Sequence, residues 1–88
     1  MSKVAMTYRM MPESTDFSFD HMVEAIRSKL PDGAEMRDGR IVPVAFGLKS
    51  FVVMIVATDD EGVADRVEGA LAGIQGIQSV ESVETTLL

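Results

Sequence analysis

The residues able to do chemistry are few and poorly spaced for it. His21 is the single histidine, and it stands between Asp20 and Met22. A general base needs a reacting group within hydrogen-bond reach, and a metal site needs several converging ligands. Neither is suggested here, so His21 is expected on the solvent face of a helix. Asp59-Asp60-Glu61 gathers three carboxylates, but a calcium loop spreads its oxygens over about twelve residues around a central glycine. These acids are expected to cap a helix. Gly73-Ile74-Gln75-Gly76 matches neither the dinucleotide fingerprint nor a phosphate loop. With no cysteine, disulfides, thiolate nucleophiles and thiolate-bound zinc are excluded. No metal, no cofactor and no covalent step are expected of this chain.

One segment stands out. Pro43-Val44-Ala45-Phe46-Gly47-Leu48-Lys49 sets a phenylalanine beside a glycine at a predicted hairpin turn, where side chains usually face water. A large aromatic there either folds back on the core or projects as an anchor for a partner's pocket.

The elements that must position these residues follow from periodicity. Val4, Met6, Tyr8 and Met10 alternate with Lys3, Ala5, Thr7 and Arg9, the period of a half-buried strand, and Pro12 ends it. A helix over Ser18 to Leu30 carries Phe19, Met22, Val23, Ile26 and Leu30 on one face. Asp16 or Ser18 is expected to cap it, Asp20 and Glu24 to suit the positive end of its dipole, and Pro31-Asp32-Gly33 to stop it. Met6, Met10 and Met22 are expected as flexible packing in the core.

Ala34 to Phe46 reads as a second strand, interrupted by a turn or bulge at Asp38-Gly39. Pro43 places it at a sheet edge, since a central strand cannot spare the donor. Phe51 to Ala57 is apolar on both faces, as a central strand should be, and the two pair as a hairpin turning near Ala45 to Lys49. Thr58, Asp59 and Asp60 offer capping oxygens for a helix from about Glu61 to Gly73, with Val63, Val67, Ala70, Leu71 and Ile74 as its buried stripe. Gly73 and Gly76 end it. Ile77 to Leu88 reads as a last strand without clean alternation. The order βαββαβ packs most simply as an α+β ferredoxin-like sandwich: a four-stranded antiparallel sheet, strand order 4-1-3-2, with two helices on one face. The open face would carry Lys3, Ala5, Thr7 and Arg9.

Composition bounds the function. The 88 residues are 47% hydrophobic and 25% charged with a net charge of −6, the profile of a single soluble globular domain spanning residues 1–88. That field repels nucleic acid, and the eight basic residues are scattered, so a protein with a basic face is the better partner. Lys3, Thr7, Tyr8 and Arg9 interrupt any signal-peptide core. No apolar run approaches the ~20 residues of a membrane helix. A cytoplasmic protein is expected.

At this point four motifs add up. Val4 onward with Met11-Pro12-Glu13-Ser14, then Ala45-Phe46-Gly47-Leu48-Lys49, then Thr58-Asp59-Asp60-Glu61-Gly62, then Gly76-Ile77-Gln78-Ser79-Val80 resemble, in order and over the whole length, the archaeal translation elongation factor 1-beta family. The resemblance implies a ferredoxin-like fold and guanine-nucleotide exchange on elongation factor 1-alpha, the GTPase that delivers aminoacyl-tRNA. It further implies the exchange domain alone, without the N-terminal regions of eukaryotic relatives.

In that family the domain grips its partner from both ends. The resemblance assigns Phe46, with Gly47, Leu48 and Lys49, to one end. At the other end, eukaryotic members direct a C-terminal lysine toward the GTPase's magnesium. Here Thr85-Thr86-Leu87-Leu88 has no basic residue. Leu87 and Leu88 are expected as contacts, and Lys3, beside them in strand order 4-1-3-2, as the source of the missing charge. The plain reading of Lys3 is a solvated strand end.

Two other functions compete on the same fold, which does not fix function. A small-molecule regulatory module would be stabilised by its ligand and would usually dimerise. An acylphosphatase-like enzyme would need an arginine in the loop after the first strand, and Met11 to Phe17 has none.

Overall fold

The computed structural model describes residues 2–14 and 17–88. Strand β1 (Lys3–Pro12) is followed by helix α1 (Phe19–Lys29), strand β2 (Ala34–Pro43), strand β3 (Lys49–Thr58), helix α2 (Val63–Ala72) and strand β4 (Ile77–Leu87). The strands form one antiparallel sheet in the order β2-β3-β1-β4. The expected 4-1-3-2 arrangement holds. β3 lies inside and the proline-bearing β2 at an edge.

The core lies between the sheet and the helices. Val4, Met6, Tyr8 and Met10 face Ala57, Ile55, Val53 and Phe51 in register, and all eight are buried. Against them pack Met22 and Ile26 of α1 and Val63, Val67 and Leu71 of α2. The alternation of β1 therefore marked its inner face correctly, and the three methionines are packing. Burial, with added repulsion from Glu68 and Asp65 of α2, pushes the Tyr8 hydroxyl up to about 12. That hydroxyl donates to the Met6 sulfur at 3.4 Å.

Several local expectations need correction. Ser18 does cap α1, its hydroxyl accepting from the His21 amide at 3.4 Å, whereas Asp16 lies outside the described residues. Only Asp20 stands in the first turn of α1; Glu24 is one turn further on, too far to meet the dipole's end. Helix α2 begins at Val63, not Glu61, and takes no side-chain cap. Gly62 precedes it in the left-handed region at φ 79°, and the Val63 amide donates to the Asp60 carbonyl at 3.1 Å. A backbone turn thus does what the side chains of Thr58, Asp59 and Asp60 were expected to do.

Strand β2 ends at Pro43, three residues before Phe46. The interruption expected at Asp38-Gly39 lies one residue earlier: the register shifts between Met36 and Asp38, leaving Arg37 as the bulged residue, while Asp38 and Gly39 pair with Met54 and Val53. The shift between Thr7 and Tyr8 in the β1–β4 pairing explains why β4 lacks clean alternation, since an extra residue moves every later side chain to the other face.

Candidate functional site

The β2–β3 connection carries Phe46, the most exposed of the large hydrophobic residues among those described. Val44 donates to the Leu48 carbonyl at 2.7 Å and Leu48 to the Ala45 carbonyl at 3.3 Å, closing a single tight turn over Ala45–Gly47. Inside it Phe46 adopts φ 61° and ψ 36° and is the only non-glycine residue with positive φ among those described. Gly47 follows at φ 77°. For an L-residue the left-handed conformation costs about 1–2 kcal/mol, which is why glycine normally fills it. Phe46 bears that strain while the residue stands 98% exposed. The core reading of Phe46 is overturned: the ring gains no burial from the fold.

Gly47, Leu48 and Lys49 share this end. Gly47 has open space where a side chain would be, so its backbone angle, not crowding, requires glycine. Leu48 is half-buried and Lys49 exposed. Ile41 and Val44, near Phe46 in the sequence, are also exposed. The sequence reading missed both; the usable signal was an apolar pair flanking the edge-strand proline, at positions with little core to fill.

Lys3, Leu87 and Leu88 gather at the opposite end. Leu88 donates to the Lys3 carbonyl at 2.8 Å, Leu87 pairs with Val4, and Lys3 pairs with Thr58 at the far end of β3. Lys3, Leu87 and Leu88 are all exposed. The expected neighbourhood of tail and first strand is therefore present. Lys49 and Thr58 bound β3, and nine strand steps separate them by about 30 Å. The candidate residues form two clusters at the two ends of a body measuring 42 × 21 × 17 Å.

Between the ends, the open sheet face carries Arg9, whose guanidinium meets Glu81 at 2.7 Å with both side chains largely exposed. Such a pair contributes little to stability. His21 is exposed, as expected. Asp59, Asp60 and Glu61 are exposed, and among the described residues no three histidine or carboxylate side chains converge on a possible cation. No helix among the described residues is long and apolar enough to cross a membrane.

Residues 5–88 match the family model of the EF-1 guanine nucleotide exchange domain. The chain is 42% identical over 66 residues to elongation factor 1-beta of Archaeoglobus fulgidus, covering 75% of each chain. It is 38% identical over 87 residues to that of Methanosphaerula palustris, covering 99% of each. To the Halobacterium salinarum protein of the same name it is 38% identical over 74 residues, covering 84% of each.

Proposed function

The chain belongs to the family of EF-1 guanine nucleotide exchange domains, and from that premise we propose that it acts on elongation factor 1-alpha in the cytoplasm by gripping the GTPase with both ends. It is a nucleotide exchange factor of translation elongation. Its work requires no covalent step, cofactor or metal of its own. Phe46 fills an apolar pocket at one end, with Gly47, Leu48 and Lys49 around it. Lys3, Leu87 and Leu88 meet the GTPase near its nucleotide and magnesium at the other, and residues 1–88 act as one exchange domain. A net charge of −6 favours a basic partner face and speeds encounter.

Exchange then follows from differential binding. A factor that binds the nucleotide-poor GTPase more tightly than the GDP-loaded one must weaken GDP binding by the same ratio. A thousandfold faster release corresponds to about 4 kcal/mol off the dissociation barrier. Disturbing the magnesium site can supply that, because phosphate is held there mainly by electrostatics. A body about 30 Å between contact ends is long enough to engage two separate places on a GTPase, so binding at one end positions the other.

The observation that carries the grip is Phe46, a residue strained in its backbone and 98% exposed. A conformation that costs stability and buries nothing internally suits a residue whose partner is another molecule. Release of a fluorescent GDP from elongation factor 1-alpha tests the function. The protein at micromolar concentration is expected to accelerate release, and an unchanged off-rate rules the proposal out.

A further inference from the structure

Ser50 is 0% exposed, the only buried residue among the described serines, threonines, amides and charged side chains. It lies outside the contact surface assigned above. Its hydroxyl donates across the hairpin to the Val42 carbonyl at 3.1 Å. A buried hydroxyl costs stability unless it is paired, and alanine would fill the same place without that requirement. The hydroxyl therefore needs a purpose beyond packing, and the hydrogen bond to Val42 supplies one.

We propose that Ser50 is a positioning residue for Phe46, an inference that rests on the anchor role given to Phe46 above. Val42 and Ser50 are paired in the sheet and stand four residues before and after Phe46 in the sequence. Every residue from Pro43 to Gly47 is exposed, so little tertiary packing aims the turn. Its direction is inherited from the top of the hairpin stem. The last ladder pair, Pro43 and Lys49, is exposed on both strands, and beyond it the exposed Val44 bonds the Leu48 carbonyl through its backbone. β2 is also an edge strand with no neighbour on its outer side, free to splay where nothing clamps it. The Ser50–Val42 bond is a part-buried side-chain cross-link added to the backbone pairing of the same two residues just below the turn. It holds the edge strand against β3 and so fixes where the Phe46 ring projects. Preorganisation of this kind lowers the ordering cost of binding.

The test reads Phe46 both alone and in action. Ser50→Ala removes only the hydroxyl. NMR couplings and carbon shifts of Phe46 are expected to show a loss of left-handed conformer, with the melting temperature nearly unchanged. In GDP release, the half-saturating concentration of the factor is expected to rise about fivefold, the equivalent of one neutral hydrogen bond, at an unchanged maximal rate. Ser50→Thr, which keeps a hydroxyl, is expected to restore both readings. An unaltered Phe46 conformer in Ser50→Ala overturns the positioning role. If the conformer shifts while exchange does not, positioning stands and the anchor role of Phe46 fails.

Discussion

The Leu88 amide donates to the Lys3 carbonyl at 2.8 Å, which ties the end of β4 to the start of β1. The bond sets the Lys3 backbone beside the end of β4, at the far end of the sheet from Phe46, while Leu87, paired with Val4, turns to the other sheet face from Lys3. The bond brings one basic residue to a tail that has none of its own.

If the Lys3 ammonium acts at the nucleotide site, Lys3→Ala slows GDP release from the complex by about tenfold, or ~1.4 kcal/mol on the barrier. The melting temperature of the free protein is expected to hold, because Lys3 is exposed. Stopped-flow release under saturating factor makes the measurement. An unchanged off-rate assigns Lys3 to an ordinary solvated strand end.

Phe46→Gly separates function from stability. Glycine enters the left-handed region at no steric cost, so the variant is expected to gain up to about 1 kcal/mol in denaturant unfolding. Loss of the ring is expected to weaken exchange about thirtyfold or more, the size of a ~2 kcal/mol hot spot. A drop in stability contradicts the observed backbone angle, and full exchange activity contradicts the anchor.

Tyr8 makes the fold sensitive to alkali. Its hydroxyl ionises near 10.0 when unfolded and at about 12 in the fold. Above pH 10 the unfolded chain releases the proton while the folded chain retains it, so stability falls as pH rises. The loss is complete near pH 12 and amounts to ~3 kcal/mol. Chemical denaturation between pH 8 and 12 checks this, with Tyr8→Phe expected to lack the Tyr8 step.

Gly76 is constrained twice. Its φ is 91°, and a Cβ there would collide with the Phe17 ring, which sits edge-on to Phe19 with centroids 5.9 Å apart. Gly76→Ala combines left-handed strain with overpacking of that aromatic pair and is expected to cost about 2–4 kcal/mol. Equilibrium denaturation measures the loss, and a near-neutral result refutes the collision.

Element order, the inner face of β1, the stripe of α2 and the edge position of β2 were legible because each is written in local periodicity or in a proline that cannot donate. Helix α2 was misjudged at its start because acids near a helix suggest side-chain caps, and only the path of the backbone through Gly62 reveals that a turn suffices. The bulges in β2 and β4 were blurred for the same reason: an extra residue is a property of the pairing, not of one strand.

The fate of Phe46 was open in the sequence, since a Phe-Gly pair at a turn is compatible with an inward ring or an outward one. The chain by itself determined the composition, the βαββαβ order and the family. The folded structure decided that the Phe46 ring stands in water, that Lys3 and Leu88 meet, and that the two clusters lie at opposite ends of the sheet. Those facts depend on strand register and on one backbone angle, which arise only when distant segments pair.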